Sequence, residues 1–192
     1  MKKITTAIIP VAGLGTRLLP LTKSVPKELL PIYNKPVIQY IVDEAVQAGI
    51  TKIIFVISDD KKSIQNYFEN NKNSTGLLSK RNKLKELALL KNIESAAEFC
   101  FAFQNEPHGD GHAIQQALSF LKNDEDVVVL FGDDLVDNPG GQNAVEQLIE
   151  KYEQVVAPVV LLQEVPKSET FRYGIVDLVD KNNFQIKNIY LN

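Results

Sequence analysis

The chain has 192 residues, 44% of them hydrophobic and 23% charged, enough for one ordinary domain to bury a core without disulfides or structural metals. Its net charge of −3, from 21 basic and 24 acidic residues, gives no bulk attraction to nucleic acid or an anionic membrane, so an anionic ligand must be held by local cations and amides. One cysteine excludes an intrachain disulfide and fits a reducing cytoplasm, and no apolar stretch approaches the roughly 18–20 residues that span a bilayer.

The chain starts Met1-Lys-Lys-Ile-Thr-Thr6, and the apolar run that follows is too short for a signal-peptide core. That run, Ala7-Ile-Ile-Pro-Val11, is apolar throughout and opens into a glycine-rich turn. Residues 52–57, 99–103 and 126–131 are three further runs of this kind. Strands apolar on both faces belong to a parallel sheet covered by helices. Cys100 lies in the third run and reads as a buried strand residue rather than a catalytic thiol.

Helical patterns alternate with these strands. Residues 36–48 place Ile38, Ile41, Val42, Ala45 and Val46 on one face, with Pro36 suited to the first turn and Gly49 to the stop. Residues 61–70 read as a short helix, with Ser58, Asp59 and Asp60 as candidate caps. The polar stretch 70–76 reads as a surface loop. Residues 81–97 predict a helix that is charged on one side and leucine-rich on the other, and 111–122 and 144–152 predict two more. The alternation implies an α/β fold, a Rossmann-like doubly wound and mostly parallel sheet with right-handed crossovers. Residues 155–165 form a long β-like run, and 173–180 and 184–190 read as a hairpin through Asp180-Lys-Asn-Asn183, so extra strands are expected near the C-terminus. No internal repeat or inter-domain linker is evident, and residues 1–192 read as a single domain.

The first strand ends in Val11-Ala-Gly-Leu-Gly-Thr-Arg17. Glycines after a parallel strand let backbone amides approach a phosphate, and ligands of such sheets bind at the carboxyl ends of the strands. A dinucleotide loop would need a third glycine where Leu18 stands, and no Gly-Lys-Ser or Gly-Lys-Thr triplet marks the other common phosphate loop. A ligand-free glycine turn stays open on these residues alone. The continuation, Pro20-Leu-Thr-Lys-Ser-Val-Pro-Lys-Glu-Leu-Leu-Pro31, is stiffened by Pro20, Pro26 and Pro31 into a loop. It brings Lys23 and Lys27 toward Arg17, a charge density that suits a triphosphate, while Lys23 reads equally well as a solvated loop residue. Farther on, Leu130-Phe-Gly-Asp-Asp-Leu135 sets an aspartate at the end of an apolar strand, and Mg²⁺ takes one or two carboxylates together with phosphate oxygens. No Ser-His-Asp or Cys-His set is apparent.

The pattern Ala12-Gly-Leu-Gly-Thr-Arg17, Pro20, Thr22-Lys23, Pro26-Lys-Glu28 and Leu30-Pro31 resembles the bacterial UTP–glucose-1-phosphate uridylyltransferases, within the sugar-1-phosphate nucleotidyltransferase family. The likeness runs on through Lys35-Pro-Val-Ile-Gln-Tyr40, Ala48-Gly-Ile-Thr51, Gln104, residues 109–113, Asp133 and Tyr173-Gly-Ile-Val-Asp177, so it covers most of the chain. It implies a nucleotide-diphospho-sugar transferase (glycosyltransferase-A-like) fold and transfer of uridylyl from UTP to glucose 1-phosphate, with Mg²⁺ as cofactor. By the same resemblance, Arg17 and Lys27 are catalytic and Asp133 is the metal ligand. Ala12, Gly13, Gly15, Thr16, Glu28, Gln104 and Gly109 bind the nucleotide, with Glu28 and Gln104 on the base edge, and Gly174 meets the glucosyl group. Asp134 reads as a turn residue and His112 as a helix-start residue near the site.

Family members continue past the last predicted strand into a Glu-Lys-Pro segment that contacts the sugar phosphate, and later to a second metal-binding aspartate. This sequence stops at Ile189-Tyr-Leu-Asn192, so a C-terminally shortened member is expected. Two alternatives follow: a catalytically silent nucleotide-binding module, or a related nucleotidyltransferase that uses dTTP. A cytoplasmic location and a homo-oligomer are expected as well.

Overall fold

The four continuously apolar runs form one parallel sheet in the computed structural model, which describes residues 3–69, 72–106, 108–180 and 184–190. Strand β1 (Thr6–Pro10) leads through short 3₁₀ turns at Thr16–Leu18, Leu21–Lys23 and Lys27–Leu29 to a small antiparallel bridge of β2 (Pro31–Ile32) and β3 (Lys35–Pro36). Helix α1 (Val37–Gln47), strand β4 (Lys52–Ile57), helices α2 (Lys62–Phe68), α3 (Lys72–Lys80) and α4 (Leu84–Glu94) and strand β5 (Glu98–Phe103) follow. Helix α5 (Asp110–Gln116), a 3₁₀ extension Ala117–Phe120, strand β6 (Val127–Val129) and helix α6 (Ala144–Val155) complete the first of two compact units, Met1–Val159. The second unit, Val160–Asn192, holds a 3₁₀ segment, Lys167–Arg172, and an antiparallel pair, β7 (Ile175–Asp180) and β8 (Gln185–Tyr190).

The large sheet has the order β5-β4-β1-β6, every pairing parallel. One face buries Ala7, Ile9, Ile53, Phe55 and Ile57 against Ile38, Ile41, Val42 and Ala45 of α1, Ile64 and Phe68 of α2, and Val145 of α6. Phe55 stacks on Phe68 at 4.9 Å between ring centres, and on Phe101 at 5.6 Å. The other face sets Ile8, Ile54, Val56 and Ala102 against Ala113 and Ala117 of α5 and its extension. Covering both faces is what calls for strands without apolar–polar alternation. Local chemistry sets the start of α6. The Asn143 side chain accepts from the Glu146 amide while Glu146 accepts from the Asn143 amide, a capping box, and Glu44 of α1 accepts from the Ala144 amide at 2.7 Å. The chain is thus the doubly wound α/β fold its sequence implies, with extra strands near the C-terminus.

Strand order makes a site. From β1 the chain moves outward to β4 and β5, then returns to place β6 on the other side of β1. The carboxyl ends of β1 and β6 therefore flank a topological switch point, where open α/β sheets leave a crevice. Among the described residues, no helix is long and apolar enough to cross a membrane.

Several elements depart from the sequence reading. The stretch 70–76 is not a loop where it is described: Lys72–Lys80 is helix α3, which turns through Asn82, at φ 56°, into α4. Polar composition does not forbid a helix, and this one closes its end with bonds from Arg81 and Lys83 amides to the Leu77 and Leu78 carbonyls. Helix α4 accordingly starts at Leu84 rather than Arg81, and its leucine-rich side stays out of the core, with no residue buried. Residues 155–165 are not a strand: Val155 ends α6, Val156 turns left-handed at φ 49°, and 156–166 have no regular structure. β-branched residues favour extended backbone, but a strand exists only where a neighbour pairs with it. Ser58 precedes the 3₁₀ turn before α2, but neither it nor Asp59 or Asp60 makes a side-chain cap. Cys100 is half-buried rather than buried, and desolvation pushes its thiol up from its ordinary value, away from nucleophilic use. Of the expected hairpin turn, 181–183 lie outside the described residues.

Candidate functional site at the carboxyl edge of the sheet

Four loops meet at the carboxyl ends of β1, β4, β5 and β6. The Val11 amide donates to the Val56 carbonyl at 2.8 Å, which extends the ladder one step beyond β1 before the chain turns away. Gly15 then adopts φ 65°, where a side chain would be strained, and a Cβ there would also press the Thr22 methyl at 3.2 Å. The Thr22 hydroxyl donates to the Gly15 carbonyl at 2.9 Å and so clips the glycine loop to the proline-stiffened loop. Ala12 is buried at the root of the turn; Gly13, Thr16, Arg17 and Lys23 stand exposed.

The proline loop delivers two neighbouring charges in opposite directions. The Lys27 ammonium meets the Asp133 carboxylate at 2.6 Å, both partners partly exposed. Glu28 turns inward, 1% exposed, and both its oxygens accept from the Lys61 ammonium at 2.8 Å. Burial pushes the Lys61 ammonium below its ordinary value, opposed chiefly by Glu28, and the charges of Lys27 and Asp133 also reach it. These four groups form one electrostatic cluster beneath the switch point. Asp133 and Asp134 follow Gly132, which packs so tightly that a Cβ would come within 2.3 Å of a Val11 methyl and 3.2 Å of Glu28 Cγ. A glycine here lets the end of β6 close against the root of the β1 loop. Desolvation, then repulsion from Asp133, raises the Asp134 carboxyl.

At the β5 end, the Gln104 amide nitrogen donates to the Ile57 carbonyl, and the nearly buried side chain turns toward the start of α5. Its side-chain nitrogen lies 3.2 Å from the Gly109 carbonyl and 2.9 Å from His112 Nδ1. Gly109 takes φ 89° at the helix start, a second position that suits glycine. Asn105 bonds the Asp59 amide and carboxylate, joining the loops after β4 and β5.

Of the residues singled out from sequence, Ala12, Gly13, Gly15, Thr16, Arg17, Lys27, Glu28, Gln104, Gly109 and Asp133 all lie on loops at this edge. Gly174 precedes β7 in the second unit. Sequence reasoning passed over Lys61 and Gly132 and left His112 without a role. Lys61 follows two aspartates and looks like a solvated helix start; its one signal is its place at the carboxyl end of the strand beside β1. Among the described residues, no group of three or more His, Cys, Asp or Glu side chains is arranged to hold a metal.

The family model described as nucleotidyl transferase matches residues 6–190. The chain is 47% identical over 183 residues to a UTP–glucose-1-phosphate uridylyltransferase 2 of Staphylococcus saprophyticus, covering 94% of this chain and 62% of that protein. It is 43% identical over 192 residues to the UTP–glucose-1-phosphate uridylyltransferase of Bacillus subtilis, covering 98% and 64%. It therefore spans less than two thirds of the length of these relatives. Among solved structures, a UTP-bound UGPase from Acinetobacter baumannii superposes with a TM-score of 0.90 at 38% identity, over 97% of this chain and 67% of that one.

Proposed function

The chain belongs to the nucleotidyl transferase family, and from that premise we propose that it binds UTP at the carboxyl edge of its sheet and serves uridylyl transfer to glucose 1-phosphate. A phosphate oxygen of glucose 1-phosphate attacks the α-phosphorus of UTP, the bond to the β-phosphate oxygen breaks, and pyrophosphate leaves as UDP-glucose forms. No covalent intermediate on the protein is needed; alignment and charge neutralisation supply the rate.

The observation that carries this reading is the convergence of a glycine loop, Lys27 and Asp133 at the switch point of the sheet. Backbone amides around Ala12, Gly13, Gly15 and Thr16 suit phosphate and nucleotide contacts. Arg17 and Lys27 suit the triphosphate and the departing pyrophosphate. Lys27 rests on Asp133 at 2.6 Å, so each charge is already placed: the cation for phosphate, the carboxylate for a metal. Gln104 and Gly109 suit the base edge. Glu28, with both oxygens on Lys61, serves that edge through the turn it anchors rather than through a free carboxylate. The resemblance alone assigns Gly174 a sugar contact.

Enzymes of this family generally use a divalent metal. The residues here fit Mg²⁺ in the mode that recruits one or two carboxylates and completes its shell with phosphate oxygens and water, with Asp133 as the ligand. When bound, the ion neutralises phosphate charge. A cytoplasmic, self-associating protein completes the proposal; exposed Val179, Phe184, Ile189 and Tyr190 on the hairpin support the association.

Calorimetry with UTP, and pyrophosphate release from UTP plus glucose 1-phosphate with Mg²⁺, test the reading. Turnover supports the full activity, UTP binding without turnover a silent nucleotide module, and tighter dTTP binding the sibling chemistry; absence of nucleotide binding defeats all three. If turnover is found, Lys27→Ala lowers it by at least about 100-fold, as loss of one transition-state charge partner does, with an unchanged thermal midpoint. Near-normal turnover in that variant removes Lys27 from its role.

A further inference from the structure

The amide of Gln104 is held in one orientation, and that orientation has a chemical consequence. Gln104 is 7% exposed at the end of β5. One end of its amide faces the Gly109 carbonyl at 3.2 Å. A carbonyl oxygen only accepts, so the end facing it is the NH₂ group. The same nitrogen lies 2.9 Å from Nδ1 of His112. An amide nitrogen carries two hydrogens; one goes to Gly109 and the other to Nδ1, which therefore accepts. The imidazole then carries its hydrogen on Nε2. The Gln116 side-chain nitrogen lies 3.0 Å from that atom and 3.4 Å from the His112 carbonyl. A neutral ring cannot accept at both nitrogens, and Gln116 has the longer carbonyl contact of the two glutamines, so it is Gln116 that turns over and accepts from Nε2. His108 packs edge-on against the ring at 5.1 Å and helps fix its plane.

With both hydrogens engaged, Gln104 has only its carbonyl oxygen to offer a ligand. Turning the amide over would set oxygen against the Gly109 carbonyl and leave Nδ1 without a donor. We propose that His112 is a specificity-determining residue: with the Gly109 carbonyl it locks Gln104 as a hydrogen-bond acceptor, so the site selects a pyrimidine that presents a ring N–H. Uracil and thymine carry that hydrogen at N3, whereas cytosine has a lone pair there and would face oxygen with nitrogen, acceptor against acceptor. A nearly buried acceptor left unpaired costs about one to two orders of magnitude in affinity. The inference rests on Gln104 lying at the base, as in the nucleotide-binding reading above, and adds which edge it reads and what makes it read that edge. His112 acts through the Gln104 amide it touches; it is a positioning residue.

The test is calorimetric binding of UTP and CTP, with Mg²⁺, to the whole chain and to two variants. His112→Phe keeps the ring and removes the acceptor. His112→Asn restores an acceptor, its side-chain oxygen standing in for Nδ1. The unaltered protein prefers UTP over CTP by roughly 100-fold. In His112→Phe only the Gly109 carbonyl still holds the amide, so UTP weakens, CTP tightens and the ratio falls below about tenfold, while His112→Asn keeps most of the preference. Tighter CTP binding is the informative change, because mere loosening of the fold weakens both nucleotides. A ratio in His112→Phe equal to that of the unaltered protein overturns the proposal, as does a CTP-permissive His112→Asn. If His112→Phe does not fold, N3-methyl-UTP on the unaltered protein decides: at least about tenfold weaker binding than UTP supports the lock, and equal binding overturns it. An unaltered protein that binds neither UTP nor CTP defeats the nucleotide reading itself, whereas UTP preference insensitive to His112 defeats only this inference.

Discussion

Lys61 and Glu28 form an ion pair with both partners almost out of water, 8% and 1% exposed. Taking two charges from water costs several kcal/mol each, and mutual attraction offsets this only while both are present. Burial therefore dominates the Lys61 ammonium and pushes its pKa down despite the carboxylate beside it. Glu28 is next to Lys27, in the same 3₁₀ turn, so the buried pair anchors the turn that holds Lys27 against Asp133. Removing one partner is predicted to be far worse than removing both. Lys61→Met leaves a buried carboxylate alone and should lower stability by about 3–5 kcal/mol, whereas Lys61→Met with Glu28→Gln recovers most of that loss. Urea melts of the three proteins measure it; a double variant as unstable as the single one would show that the pair is not the source. This pair was not legible in the sequence. Its members are 33 positions apart, and each looks like a surface charge in its own segment. Gln104 and Asp133 were legible as polar residues at the ends of apolar strands and Lys27 as a charge on a proline-stiffened loop, both local patterns, while the roles proposed for them come from the family resemblance. His112 was visible as a residue, but its part depends on which atom of Gln104 faces it.

The strands were readable for the opposite reason to the ion pair. Burial on both faces writes itself into nearly every position of the central strands β1 and β4, and needs no knowledge of the neighbours. Residues 155–165 carry the same β-branched chemistry without a paired neighbour, and α3 forms from a polar stretch that composition assigned to a loop; in both, context outweighed propensity. Between the elements, polar ties set the alignment. The Glu125 carboxylate, on the approach to β6, accepts from the Lys122 amide at 2.8 Å and from the Thr6 hydroxyl at the start of β1. The backbone bond first, then Thr6, holds this carboxyl below its ordinary value of 4.5. A carboxyl lowered on folding adds stability that is fully present above its unfolded value and lost as pH falls through the folded one. Glu125→Gln keeps an acceptor and drops the charge, so it should cost about 1 kcal/mol at neutral pH. The gap should close once the pH drops below 4.5, as the native carboxylate takes up its proton. Urea melts from pH 7 to pH 3 follow it; a gap that stays constant over that range would rule out an ionised Glu125 as the tie.

At the scale of the whole chain, the buried core and the residues proposed for the nucleotide are concentrated in one part of the sequence. Every residue of the two buried clusters lies between Ile4 and Val145, inside the unit Met1–Val159. So do all the residues proposed for the nucleotide and the metal. The unit Val160–Asn192 has a two-stranded hairpin as its only sheet among the described residues, and such a hairpin is marginal by itself in water. Residues 156–166 have no regular structure, and Val160, Leu161 and Leu162 are exposed there. Thermolysin, which cuts before large apolar residues, is predicted to nick first at Leu161 or Leu162, because exposed irregular backbone fits a protease cleft without unfolding anything. The larger product should keep the four-stranded sheet, melt cooperatively, and bind UTP within about threefold of the intact chain, a difference well under 1 kcal/mol. Mass spectrometry locates the cut, and circular dichroism and calorimetry on the purified fragment read the rest. A first cut inside α3 or α4 would place the weakest backbone elsewhere. A fragment that melts without cooperativity would mean that the first unit's core does not suffice. A folded fragment with UTP affinity reduced more than about tenfold, or 1.4 kcal/mol, would mean that the nucleotide site draws on residues beyond Val159.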